Sequence, residues 1–206
     1  MKPDAAIFIP KILEAAKMHP SRAKNIYVFG SRVYGTNTEV SDWDIVIVGN
    51  NSVDSIEIKH EVFNIHVYTP KKFQEDLDWH MPKNLECVMA PEWTKLKQEI
   101  DFKLVIDLPK LRHAVSHVSS NSWVKAKKKL TISDEYQIGV KSLFHAIRIP
   151  MFGAQIAATG LIEDFGCANN IWNRITQRDW NWESLDAEFR AEHNRVLTEF
   201  RKLASK

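Results

Sequence analysis

The first apolar stripe of the chain, Ile9, Ile12, Leu13 and Ala16, is spaced as one side of a helix and predicts a helix over residues 4–18, with Pro10 near its start or at a kink. Residues 25–29 read as a strand. Gly30, Ser31 and Gly35 interrupt the pattern, and residues 42–48 form a second, largely apolar strand that ends at Gly49 and Asn50, with a loop and one helical turn between the two. Residues 56–68 are rich in β-branched and aromatic side chains, enough for one bent strand or a hairpin before Thr69 and Pro70. A helix over 71–79 follows, with Phe73 and Leu77 at i and i+4.

Beyond Trp93 everything reads as helix. Asp107 is a candidate N-cap with Pro109 just inside, opening a helix that runs to about Leu130 and ends in the basic run Lys125, Lys127, Lys128 and Lys129. Ser133 is the expected cap of the next helix, which extends to Gly160 with Pro150 as a candidate kink; segments over about 165–176 and 184–204 complete the chain. The change from mixed to all-helical patterning near residue 95, with no linker or repeat, predicts an α+β fold. Residues 1–95 form a small mixed β-sheet core with flanking helices, and residues 96–206 form a C-terminal helical domain.

The ordinary balance of 44% hydrophobic and 26% charged residues excludes a disordered or fibrous chain. A formal charge of +2 is too mild to require a nucleic-acid partner, so local patches must decide. Cys87 and Cys167 lack metal-ligand spacing and sit among apolar or small residues, as free thiols in a reducing compartment do. Asp4, Lys11, Glu14 and Lys17 break up the N-terminal apolar residues, and no stretch reaches the length of a membrane span. The expected location is cytoplasmic, away from membranes.

The chemistry concentrates in Val28-Phe29-Gly30-Ser31-Arg32 and, ten residues after Ser31, in Ser41-Asp42-Trp43-Asp44. Side chains two apart on a strand share a face, so Asp42 and Asp44 project together. Two adjacent carboxylates repel each other and call for a cation; Mg²⁺ (or Mn²⁺) is commonly held by one or two carboxylates together with substrate phosphates. Gly30 permits a close backbone turn, Ser31 and neighbouring N–H groups suit phosphate oxygens, and Arg32 is a candidate counter-charge. A surface turn followed by two solvated Asp residues is the plainer alternative.

The arrangement Phe29-Gly30-Ser31, a ten-residue gap, then Asp42-Trp43-Asp44 resembles the signature of the DNA polymerase β-like nucleotidyltransferase superfamily. Gly30-Ser31-Arg32 with Gly35 and Ser41-Asp42 is similar to its small stand-alone bacterial and phage members. Val67-Tyr68-Thr69-Pro70, Phe73, His80, Leu85-Glu86-Cys87 and Pro91 look like the continuation in predicted nucleotidyltransferases, including a branch associated with RNA repair. The resemblance implies a nucleotidyltransferase core over residues 1–95, with Asp42 and Asp44 as metal ligands and Gly30, Ser31 and Arg32 at the nucleotide. It also implies a third carboxylate on the following strand, where this chain has Asn64; an amide oxygen ligates a metal but is no general base. Glu61 is the rival carboxylate, and Glu57 and His66 are further substitutes.

In the helical half, Lys141, His145 and Arg148 at i, i+4 and i+7 share one narrow face, readable as donors to a triphosphate or acceptor phosphate or as a solvated stripe. The lysine run beside Trp123 suits a nucleic-acid backbone or, equally, a helix C-terminus. His113 and His117 lack an acidic neighbour and read as surface residues. The expected reaction is transfer of a nucleoside monophosphate from a nucleoside triphosphate to an acceptor hydroxyl, with an RNA end (tRNA) as a possible acceptor. The alternatives are a catalytically weak nucleotide or nucleic-acid binder on the same fold and an AMP-transferase acting on protein.

Overall fold

A computed structural model describes residues 3–133 and 135–205. Two compact units divide the chain: one takes the residues up to Asp78 and then Lys83–Val105, the other Trp79–Pro82 and Ile106 onward.

The first unit opens with helix α1, Ala5–Ala15, whose N-cap Asp4 accepts from the Ala6 N–H and which runs through Pro10. Strand β1 (Ala23–Phe29), a single helical turn α2 (Ser31–Tyr34) and strand β2 (Trp43–Gly49) follow. Residues 55–68 form a hairpin of β3 (Ser55–His60) and β4 (Phe63–Tyr68), the second of the two forms their composition allowed. Helices α3 (Pro70–Asp78) and α4 (Pro82–Met89) lead to a short strand β5, Lys95–Gln98. The sheet order is β3-β4-β2-β1-β5, with β2 and β4 parallel and the other neighbours antiparallel.

Alternation along these strands divides the core in two. Ile26 and Val28, Ile45 and Ile47, and Ile65 and Val67 face α1, where Ile12, Leu13 and Ala16 are buried. Tyr27, Val46, Val48 and Tyr68 face the opposite way, onto Phe73 of α3 and Cys87 of α4. Both cysteines are free, and Cys87 is fully buried.

Strand β5 corrects the expectation of uninterrupted helix after Trp93. Its sequence, Lys-Leu-Lys-Gln, offers one apolar residue and two lysines, the composition of a protected sheet edge rather than of a recognisable strand. Buried Asn25 fastens the chain just beyond it, accepting from the N–H groups of Glu99 and Ile100 and donating to the Ile100 carbonyl. Helix α4 also escaped the reading of periodicity, being only eight residues between Pro82 and Pro91.

In the second unit, Asp107 caps helix α5 (Leu108–Thr131) as expected, accepting from the Lys110 N–H at 3.0 Å. Helix α6 (Tyr136–Thr159) has Glu135, not Ser133, at its N-cap and continues unbroken through Pro150. Helices α7 (Asn169–Thr176) and α8 (Trp182–Leu203) complete it. Gly153 lets α6 approach its neighbours closely: a Cβ there would lie 2.8 Å from the Phe200 ring of α8 and 3.0 Å from Val115 of α5. Among the described residues, no helix is long and apolar enough to cross a membrane.

Candidate active site

One end of the sheet gathers the last residues of β1 with the first residues of β2 and β4. Phe29 pairs with Asp44 across the antiparallel β1–β2 ladder, and Asp44 pairs with Asn64 across the parallel β2–β4 ladder. Three strands therefore bring Gly30, Asp44 and Asn64 together, although twenty residues separate the last two.

Gly30 has φ 80° and ψ −156°, a region open essentially to glycine alone. Its peptide turns the chain from β1 directly into α2, and the Gly30 carbonyl accepts from the N–H groups of Val33 and Tyr34. The backbone comes so close to Asp44 that a Cβ on residue 30 would sit 2.2 Å from Oδ2. Asn64 Nδ2 donates to the other oxygen of Asp44, Oδ1, at 3.1 Å. That bond fixes the carboxylate and turns the Asn64 amide oxygen away, buried and without a hydrogen-bond partner.

A buried, unpaired amide oxygen beside a carboxylate costs stability unless a donor or a cation meets it. Asp42, just before β2, is exposed and adds a second carboxylate. Oxygen donors of this kind suit a hard divalent ion. The described residues hold no cluster of three or more His, Cys, Asp or Glu that could bind a metal, as follows when an amide stands in the third position. Of the rival positions, Glu61 lies in the β3–β4 turn, exposed and with φ 49°, and Glu57 is exposed on the edge strand opposite His66.

The remaining positions divide between the two units. Ser31, partly buried, starts α2 directly after the glycine. The Arg32 guanidinium lies 4.2 Å from the Trp43 ring centroid and donates to the Ser41 carbonyl. It thus grips the residues flanking Asp42 on the side of the strand opposite Asp44.

In the helical unit, Lys141 is exposed, His145 is half-buried and Arg148 is only 3% exposed. The Arg148 guanidinium stacks over Phe152 at 4.6 Å and donates to His145 Nδ1 at 3.1 Å. Burial, with the charges of Arg148, Lys125 and Lys141, pushes His145 down to about 3, so its neutral ring accepts that bond. A fully solvated stripe does not describe Arg148.

Sequence reading missed one prominent cation. Lys83, in the first turn of α4, donates to His66 Nδ1 at 3.1 Å and lies 5.6 Å from the Phe29 ring centroid. It forms no ion pair with any described residue. Burial pulls Lys83 below the usual lysine range, partly offset by Cys87, Glu57 and Asp44; burial, followed by the Lys83 charge, pushes His66 down to about 4. The only sequence cue was Pro82 at a first helical position followed by Leu85, Val88 and Met89 at helical spacing.

A family model described as "Nucleotidyltransferase domain" matches residues 9–123, more than half of the chain. No curated protein matches the sequence. Among solved structures, the chain is similar to spectinomycin adenyltransferase AAD(9) from Enterococcus faecialis with ATP and spectinomycin, at 11% identity over 96% of this chain and 98% of that one, with a TM-score of 0.47. At that distance the likeness carries no argument about substrate.

Proposed function

Since the chain belongs to the nucleotidyltransferase domain family, we propose that it transfers a nucleoside monophosphate from a nucleoside triphosphate to an acceptor hydroxyl, an RNA end such as that of a tRNA being one candidate acceptor. The observation that carries this reading is the Gly30–Asp44–Asn64 constellation, in which a side-chain-free turn abuts one carboxylate oxygen while a buried amide holds the other. Asp42 and Asp44 would hold Mg²⁺ or Mn²⁺, with the Asn64 amide positioning the Asp44 carboxylate. When bound, such an ion offsets the negative charge of the triphosphate and of the developing transition state.

The chain's own groups perform the rest. Gly30 leaves room for the Asp44 carboxylate against the backbone, and Ser31 offers a hydroxyl beside it for phosphate oxygens. Arg32 acts by holding Trp43 and Ser41, and through them the loop that carries Asp42. Lys83 supplies a positive charge on the same face of the sheet as Asp44, suited to the phosphates that leave. Taken by itself, the helical unit carries Lys141 and Arg148 as a separate candidate phosphate-binding stripe, with neutral His145 accepting from the guanidinium.

The acceptor oxygen forms a bond to the α-phosphorus as the bond from that phosphorus to the bridging oxygen breaks, its hydroxyl proton passes to solvent, and pyrophosphate departs. Asn64 takes no proton, so the rate rests on positioning and charge stabilisation. The same residue favours a second reading, a catalytically weak nucleotide or nucleic-acid binder. Incubation with each labelled nucleoside triphosphate, Mg²⁺ or Mn²⁺, and a panel of tRNA, DNA and proteins tests both. Label incorporated into an acceptor supports transfer; binding without incorporation under every condition sinks it in favour of the binder.

A further inference from the structure

Helix α5 contains no Asp or Glu over its 24 residues, while it carries Lys110, Arg112, Lys125, Lys127, Lys128 and Lys129. Solvated helix faces ordinarily mix the two signs. Positions 113, 117, 120, 124 and 128 fall within an arc of about 80° on one side of the helix. Four of them bear polar or basic side chains, and all five are exposed.

Along this side an open groove of about 610 Å³ is lined by Arg112, His113, Ser116, His117 and Ser120 of α5 together with Arg201 of α8. It adjoins a second groove of about 420 Å³, where Arg112 and Arg201 meet Thr198, Lys202 and Ser205. Among the described residues, neither lining contains a carboxylate. Arg112, Arg201 and Lys202 form no ion pair with a described residue, whereas the nearby Arg195 is neutralised by Glu199 at 3.0 Å.

The groove is also ordered. Arg201 Nε donates to Ser116 Oγ at 3.1 Å, which fixes the guanidinium at the groove wall. The rings of His113 and His117 are parallel within 9° with centroids 6.1 Å apart, and Asn121 Nδ2 donates to His117 Nε2 at 2.9 Å.

We propose that the α5/α8 face is a binding site for the phosphodiester backbone of a nucleic acid. A lone phosphate would engage one or two of these donors, whereas Arg112, Arg201 and Lys202 line two adjoining open grooves, so the cations offer more than one phosphate position to a repeating anion. The site is an open groove rather than an enclosed pocket, which suits a chain that enters and leaves at both ends. Exposed, stacked imidazoles beside the guanidinium groups offer planar surfaces to unpaired bases. The proposal extends the transferase reading by giving a nucleic acid a place on this chain, and it rests on that reading only for the use made of the binding.

The test is fluorescence anisotropy with a labelled 12-nucleotide single-stranded RNA, and DNA of the same sequence, in the absence of nucleoside triphosphate and metal; failure of catalysis therefore does not affect it. R112E combined with K202E places both reversals at exposed side chains and is expected to weaken binding at least tenfold. R112Q combined with K202Q is expected to lower the slope of log affinity against log salt by about 1.4, the value for two lost single-strand phosphate contacts. K11E combined with K71E makes the same change in net charge on the other unit and is expected to retain wild-type binding. Tighter binding of either oligonucleotide identifies the preferred sugar. Three results would overturn the proposal: no binding by the wild-type chain, equal loss in the two charge-reversal variants, or displacement by poly-glutamate as effective as by unlabelled RNA.

Discussion

The carboxylate of Asp44 occupies the space that a side chain on Gly30 would need, with Oδ2 at 2.2 Å from where a Cβ would stand. The turn after β1 and the second acid of the Asp-x-Asp pair are thereby a single device, because either the carboxylate or the backbone must move if residue 30 gains an atom. Gly30→Ala adds the strain of φ 80°, ψ −156° to that collision. It is expected to lower stability by about 1–3 kcal/mol and to abolish transfer. Thermal denaturation and initial rates on the same preparation check both; a stable and fully active variant would remove the turn from the site.

Asp42→Asn and Asp44→Asn are each expected to abolish transfer with the fold intact. The replacement keeps the size of the side chain, and at residue 44 an amide oxygen still accepts from Asn64 Nδ2. Circular dichroism and denaturation should match the wild type, while incorporation of label falls to background. Retained incorporation in both variants at saturating Mg²⁺ would disprove the assignment.

The part of the site written in consecutive residues was legible in the sequence. A strand period of two, a glycine at its end and two acids on the next strand are local facts. The pairing of Asn64 with Asp44 was legible only through the resemblance, which pointed to residue 64 with Glu61 as rival, since alternation within a strand sets no register between strands. Lys83 was not, because nothing local distinguishes it from a solvated lysine. Its importance arises only when α4 folds onto the sheet and places it on His66 and Phe29. Strand β5 was hidden by its lysines, and the start of α6 by a cap position at Glu135 that makes no side-chain capping bond.

Lys83→Met separates a role in substrate binding from one in stability. Burial disfavours the charged ammonium, so an apolar side chain of similar length is expected to leave the fold as stable as before or more so. Loss of a charge-assisted contact to the triphosphate, about 1.5–3 kcal/mol, should meanwhile raise the KM for nucleotide roughly ten- to a hundredfold. An unchanged KM in a stable variant would confine Lys83 to packing.

Acid should loosen the helical unit through His193. Its Nε2 meets Ser119 Oγ at 2.9 Å, its ring stacks on Trp123 at 4.4 Å, and burial, with Arg201 and Arg190 nearby, pushes it from 6.5 down to about 4. The unfolded chain therefore takes up this proton first as pH falls. The contribution is fully present above about pH 6.5 and disappears as pH drops to 4, a loss on the order of 3 kcal/mol. His66 and His145 shift in the same direction, so the diagnostic is the difference between wild type and His193→Gln in denaturant titrations across that window. Parallel pH profiles for the two proteins would exclude His193 as a source of the acid sensitivity.

The substitution of Asn64 decides whether the missing third carboxylate is a loss or a relocation. Asn64 lies against Asp44 with its amide oxygen buried and unpartnered, whereas Glu61 is exposed in the hairpin turn. If residue 64 is the third ligand position, Asn64→Asp adds an anion there and a group able to take a proton from the acceptor. Metal binding should then tighten and the transfer rate rise, while Glu61→Gln changes little. The new carboxylate would also face Asp44 without the amide hydrogen bond, so in metal-free buffer the variant should be less stable than the wild type by about 1–3 kcal/mol, with the deficit recovered as Mg²⁺ is added. Calorimetric titration of metal, denaturation with and without it, and initial rates on the two single variants read every part of this. Loss of activity in Glu61→Gln, with Asn64→Asp neither faster nor tighter for metal, would move the third carboxylate to the turn.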